Sequence, residues 1–190
     1  MHILMLGNSL TSAGQLPLLI EELTGAQVTY HTRGGARLAE QLNPKTRLGA
    51  RTLAALWEKG WDYVVLQEMS CGPITSPGSF QESAKELCRL IREAGAVPVF
   101  YSTWAYQKDS PRLAAKGWDY DGMARNLSLA YSRAAEENQA LLAPVGDLFY
   151  RLSPARDLYA PDGVHPSREG SRLAAQAIAR VILEDKEKHL

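Results

Sequence analysis

The sequence predicts a three-layer α/β/α fold on a five-stranded parallel sheet, flanked by helices on both faces. Two observations predict it. Short apolar runs alternate along the chain with segments whose apolar residues recur at helical spacing. Polar residues then gather just after the apolar runs, where the strands of an open parallel sheet end. The chain has 190 residues, 45% of them hydrophobic, with no linker, repeat or low-complexity tract, so one domain spanning 1–190 is expected.

The elements follow in order. Ile3-Leu4-Met5-Leu6 reads as a buried strand over 2–6, and the spacing Leu16/Leu19/Ile20/Leu23 predicts a helix over 13–24. Gln27 to Thr32 alternates as a strand, with Val28 and Tyr30 on one face. A helix is expected over 48–58, with Leu53, Leu56 and Trp57 as its apolar side. Tyr63-Val64-Val65-Leu66 is a buried strand, 79–94 a helix ending near Gly95, and Val97 to Tyr101 a strand. A helix over 119–138 turns Leu127, Tyr131, Ala134 and Ala135 inward. Leu141 to Val145 is a short strand. The closing helix over 167–184 buries Leu173, Ala174, Ala177, Ile178, Val181 and Ile182. Parallel strands joined by right-handed crossovers suggest the flavodoxin-like order 2-1-3-4-5. Loops 69–78 and 105–118 are long for so compact a chain and are expected to form binding walls or lids.

Composition excludes several function classes. The chain carries 21 basic and 21 acidic residues and no basic stripe, so neither a nucleic-acid partner nor a charged membrane surface is expected. No apolar stretch approaches the roughly 18 residues of a transmembrane span. The N-terminal residues lack the basic start and apolar segment of a secretory signal, so a cytoplasmic location is expected. The two cysteines, Cys71 and Cys88, do not make a disulfide framework; Cys88 falls in phase with Ala84, Leu87 and Ile91, as a core residue would. Neither H-E-x-x-H nor paired-cysteine spacing is present, and both phosphate-loop and G-x-G-x-x-G patterns are missing, so neither a metal nor a nucleotide cofactor is expected. His2 and His31 fall on strands and read as structural.

The strand ends carry the chemistry. Asn8 and Ser9 follow the first strand, Arg33, Gly34 and Gly35 the second, Gln67 and Glu68 the third, and Ser102, Thr103 and Trp104 the fourth. One sheet edge collects all of them. A serine hydroxyl there is a weak nucleophile until a base removes its proton. His165, in Asp162-Gly163-Val164-His165-Pro166, can serve as that base, with Asp162 accepting its other ring N–H. The backbone N–H groups of Ser9 and Gly35 and the Gln67 side-chain amide are candidate oxyanion donors. Each piece also has a plain structural reading. A serine before a helix is most often a cap, although Ser12 is the better placed cap here. Paired glycines usually make a turn, and a glutamine at a strand end usually faces solvent or supports a neighbour. Glu68 either pairs with Arg33 or faces solvent. Trp104, Tyr106 and Tyr159, with Asn8 and Glu68, are candidate pocket residues, the aromatic rings suiting sugars or acyl chains.

G-N-S-L after the first strand, a glycine after the second, an amide after the third and D-x-x-H before the last helix together resemble the SGNH (GDSL-like) hydrolases. The resemblance runs from residue 3 to about residue 180, and its first and last blocks are the specific ones. It implies a flavodoxin-like esterase, lipase, thioesterase or carbohydrate deacetylase, with Ser9 as nucleophile and Asp162 and His165 completing a triad. Many members carry G-x-N-D in the third block. Here Gln67 stands in its place, which is similar to the carbohydrate acetylesterase-related branch and points toward acetyl esters of small molecules or carbohydrates. Asn8, in place of the family's Asp, is expected to hold the nucleophile turn. A catalytically idle binding protein on the same fold and an acyltransferase or thioesterase using the same triad are the alternatives.

Overall fold

The computed structural model describes residues 1–189. Its strands are β1 (His2–Gly7), β2 (Gln27–Thr32), β3 (Tyr63–Leu66), β4 (Val97–Tyr101) and β5 (Leu141–Ala143). They form one sheet in the order β2-β1-β3-β4-β5, every pair parallel, as the alternation of elements requires. The helices are α1 (Ser9–Ser12), α2 (Leu16–Thr24), α3 (Leu38–Gln41), α4 (Arg47–Glu58), α5 (Gly72–Thr75), α6 (Pro77–Glu93), α7 (Pro111–Ala115), α8 (Tyr120–Glu137), α9 (Val145–Leu152) and α10 (Arg168–Lys188).

Both sheet faces are covered, which is why the central strands read as uninterrupted apolar runs. Ile3, Met5, Val65, Val99 and Tyr101 face one layer, built from Leu16 and Ile20 of α2, Phe149 of α9 and the apolar side of α10. Leu4, Leu6, Val64, Leu66 and Phe100 face the other, where Leu38, Leu56, Phe80, Leu87, Ile91 and Tyr131 pack. A third, smaller cluster joins Cys71, Ala105, Tyr106, Leu113, Met123 and Leu127, and so ties the two long loops together. None of the helices is long and apolar enough to cross a membrane among the described residues.

The sequence-predicted elements are all present, with four instructive differences. The first helix starts at Ser9 and breaks at Gly14 and Gln15, both at φ 58°, before restarting at Leu16. The break lets α10 come close, since a Cβ on Gly14 would stand 1.9 Å from Ser171 Oγ. The cap of this first segment is Asn8, whose side chain accepts from Leu10 N–H, whereas Ser12 caps nothing with its side chain. In α4 the buried side is Gly49, Thr52 and Leu56, a stripe that includes a glycine and a threonine, and Trp57, one step round the helix from Leu56, is 87% exposed. The fifth strand stops at Ala143 before Pro144, and the chain enters α9, which periodicity did not separate from the strand.

Thr52 is buried because it completes a polar cluster beneath β2. Thr52 Oγ1 donates to Gln41 Oε1 at 2.6 Å, and Gln41 Nε2 donates to His31 O at 3.2 Å. With its one hydrogen given to Gln41, Thr52 accepts from His31 Nδ1–H at 3.1 Å, which fixes the tautomer. Burial, and then the Arg51 charge, push the His31 ring down to about 4 from 6.5. Between these values the folded chain binds fewer protons than the unfolded one, so the His31 contribution is complete above pH 6.5 and is lost as pH falls toward 4. His31→Gln is therefore expected to destabilise the protein more at pH 7 than at pH 4, as read from urea unfolding at both values; an equal cost at the two would contradict a buried neutral ring.

Candidate active site

The carboxyl ends of β1, β2 and β3 and the loop before α10 converge on a cleft of about 240 Å³, lined by Asn8, Ser9, Leu10, Gly35, Met69, Ser70, Tyr106, Arg112, Asp162, Val164 and His165. Ser9 begins α1, directly after β1. His165 lies 156 positions away in sequence, yet its Nε2 is 2.9 Å from Ser9 Oγ. Its Nδ1 is 2.6 Å from Asp162 Oδ2. Ionised Asp162 only accepts, so Nδ1 carries the proton and Nε2 is left to accept from the Ser9 hydroxyl.

Asp162 is held by more than the ring. Its Oδ1 accepts from the backbone N–H groups of Val164, at 3.0 Å, and His165, at 2.9 Å. Partial burial pushes its carboxyl up, but the bonds from the His165 ring and the two backbone donors outweigh that and hold it down at about 2. The carboxylate that fixes the imidazole therefore persists as pH falls until about 2. Gly163, at φ +69°, provides the turn between acid and base, and a Cβ there would stand 2.8 Å from Ser110 Cβ. Trp104 Nε1 donates to Val164 O at 2.9 Å and fixes the same loop from below.

The Ser9 turn is bound to both neighbouring strand ends. Asn8 Nδ2 donates to Ala36 O at 3.0 Å, tying it to the loop after β2 that holds Gly35. Gln67 Oε1 accepts from Asn8 N–H at 3.1 Å and from Thr11 Oγ1 at 2.8 Å, tying it to the end of β3. Among the described residues the backbone N–H groups of Ser9 and Gly35 donate to no protein atom, and both residues line the cleft. Two free donors beside a serine hydroxyl suit an oxyanion that forms there.

The structure brings Ser9, Gly35, Asp162, His165, Asn8 and Tyr106 to the cleft and places four other candidates elsewhere. Gln67, the expected third oxyanion donor, lies buried behind the turn. Its carbonyl end must face the Asn8 N–H, so its amide nitrogen is turned to Glu68 O and away from the cleft. Glu68 neither pairs with Arg33 nor meets solvent. It is buried and accepts from Leu38 N–H and Met69 N–H, while Arg33 pairs with Glu40. Trp104 stacks on Phe149 with ring centroids 4.0 Å apart, inside the core. Tyr159 packs edge-on against the same ring and donates to Ala105 O at 2.8 Å. Both aromatics support the site from within and do not wall it. Leu10, Met69, Ser70, Arg112 and Val164 line the cleft as well, beyond the residues expected from the sequence. Ser110-Pro111 was the available signal for Arg112: a cap residue before proline marks a short helix, and Ser110 Oγ does accept from Leu113 N–H.

The chain is similar to a protein from Slackia heliotrinireducens described as an SGNH hydrolase, at 50% identity over 96% of this chain and 98% of that one, with a TM-score of 0.92. It is also similar to a psychrotrophic esterase from Pseudoalteromonas, at 16% identity over 98% of each chain and a TM-score of 0.69. An acetyl-xylooligosaccharide esterase from Geobacillus Stearmophilus matches at 16% identity over 95% of this chain and 93% of that one, with a TM-score of 0.67. The last two likenesses are of fold. No protein-family model matches the chain, and no curated protein does.

Gln67→Ala leaves the buried Thr11 hydroxyl and Asn8 N–H without a partner, so a stability loss of about 1–3 kcal/mol or more is expected in urea unfolding. Unchanged stability with a fall in turnover alone would return Gln67 to the oxyanion site.

Proposed function

The chain belongs to the SGNH hydrolase family, and from that premise we propose that it is a serine ester hydrolase acting through an acyl-enzyme on short-chain esters, acetyl esters foremost. The observation that carries the reading is the continuous hydrogen-bonded line from Ser9 Oγ through the His165 ring to Asp162. That line has the polarity acyl transfer requires: a hydroxyl proton facing a neutral imidazole nitrogen whose opposite N–H is held by a carboxylate.

In the proposed reaction Ser9 Oγ attacks the ester carbonyl carbon while its proton moves to His165 Nε2. The carbonyl oxygen becomes an oxyanion, facing the N–H groups of Ser9 and Gly35 at the N-terminal end of α1. The tetrahedral species collapses by breaking the bond to the alcohol oxygen, which takes the proton from His165. Water then repeats the sequence on the acyl-enzyme, with His165 again as base, and releases the carboxylic acid and the free serine. Asp162 keeps the imidazole oriented and stabilises the imidazolium formed in each half.

The cleft volume of about 240 Å³ supports a small acyl group, being below the roughly 300–1,000 Å³ of pockets that enclose drug-sized ligands. With Trp104 and Tyr159 in the core, Tyr106 is the aromatic residue that lines the cleft. The substrate reading therefore rests on acyl size, and sugars enter it as one class of alcohol.

Ser9→Ala is expected to lower turnover of an aryl acetate by at least about a thousandfold while leaving urea unfolding nearly unchanged. A fluorophosphonate probe should label the parent at Ser9 and leave the variant unlabelled. Retained turnover in the variant, or an unlabelled parent, would overturn the mechanism. Across aryl esters from acetate to decanoate, kcat/KM is expected to fall steeply after the shortest chains; a rise toward octanoate would favour a lipase or thioesterase.

A further inference from the structure

The cleft holds one charge that the proposed chemistry does not use. Arg112 lines it together with Ser9, Tyr106 and His165, and among the described residues its guanidinium has neither an ion pair nor a hydrogen bond. The other lining residue with a formal charge is Asp162, whose two oxygens are committed to the His165 ring and to two backbone donors. The cleft thus offers one unspent cation and no unspent anion.

Arg112 is also held in place relative to the base. It sits in the first turn of α7, which starts at Pro111 and is capped by Ser110. That cap is fastened to the acid–base loop: Gln107 N–H donates to Gly163 O at 2.8 Å, and Ser110 packs where a Cβ of Gly163 would otherwise be. Leu113, one residue on, is buried in the small loop cluster. The backbone that carries Arg112 is therefore fixed beside the turn that joins Asp162 to His165, and its exposed side chain lines the cleft from there. Beside it, burial foremost pushes the Tyr106 phenol up to about 12. Tyr106 keeps its proton, and its hydroxyl meets Ser70 Oγ at 3.0 Å.

The side of the cleft matters. His165 must give its proton to the departing alcohol, so the alcohol lies toward His165 and the acyl carbonyl toward Ser9 and Gly35. Resting on the hydrolase reading above, we propose that Arg112 is a specificity residue that selects esters whose alcohol portion carries a carboxylate or comparable anion, which it binds beside the leaving oxygen. A planar guanidinium suits a carboxylate through paired N–H donors, in a way lysine reproduces only in part.

The test uses 4-acetoxybenzoate and its uncharged methyl ester. The ratio of kcat/KM for the anionic over the neutral ester, compared between proteins, cancels the difference in leaving-group reactivity. Arg112→Ala is expected to lower that ratio at least about tenfold, mainly through KM, and Arg112→Lys to restore part of it. Added salt should erode the parent's ratio and leave that of Arg112→Ala flat. Unchanged ratios in both variants would overturn the proposal. A dependence on Arg112 seen for phenyl hydrogen succinate, whose carboxylate is on the acyl side, but not for 4-acetoxybenzoate would overturn the assigned orientation. If no ester is turned over and the fluorophosphonate leaves Ser9 unlabelled, the hydrolase reading fails separately. Calorimetric titration of Ser9→Ala with 4-acetoxybenzoate, with and without Arg112→Ala, then still decides: binding lost with Arg112 supports the anion site, and binding unaffected by its removal overturns it.

Discussion

The Gln67 side chain is the contact on which the site is built. It reaches from the end of β3 under the turn that follows β1 and accepts from Asn8 N–H and Thr11 Oγ1. The turn can settle so close only because Gly7 has no side chain: a Cβ there would stand 2.3 Å from Thr11 Oγ1 and 2.6 Å from Gln67 Oε1. Asn8 extends the same network sideways to Ala36 O, so three strand ends share one set of buried hydrogen bonds. Buried polar groups of this kind are costly when any partner is missing, which makes the geometry nearly all-or-none. The Ser9 hydroxyl and the two unused N–H groups inherit their positions from it.

The opposite wall is fixed by different means. The loop from Asp162 to Pro166 is held above by the Gln107–Ser110 segment and below by Trp104, whose ring is stacked on Phe149 in the core. Tyr159 meets the same Phe149 ring and pairs with Pro166 across an isolated bridge. Aromatic packing thus orients the base, while a polar network orients the nucleophile. The division suits the chemistry proposed, in which the imidazole keeps its place and the carbonyl oxygen needs donors aimed in advance.

Much of this was legible in the sequence because it depends on periodicity and order. Apolar runs gave the strands, and the parallel topology then put Ser9, Gly35 and the strand-three amide at one edge. Asp162 and His165 were legible because a glycine lies between them and a proline follows just before the last helix. What could not be read is the direction in which a side chain points. A glutamine one residue past a strand is the same letter whether its amide faces the cleft or the turn beneath it, and the choice is made by Thr11 and Gly7. Trp104 and Tyr159 were misplaced for a similar reason, since an aromatic in a loop can wall a pocket or plug the core. Trp57 shows the reverse case, an aromatic grouped with a helix's apolar side yet left outside: the buried stripe runs through Gly49, Thr52 and Leu56, and Trp57 lies about 100° round the helix from Leu56.

The contact between Ser9 and His165 spans 156 positions of chain. The serine turn belongs to the first strand, and the imidazole stands immediately before the last helix, which must dock on α2 for the two to meet. During synthesis the hydroxyl emerges first and its partner 156 positions later. A nascent chain therefore carries an ordinary serine until His165 has been made and has folded against it. Whatever reactivity this hydroxyl has is thereby made a certificate of the finished molecule, withheld from fragments, stalled chains and partly unfolded forms alike.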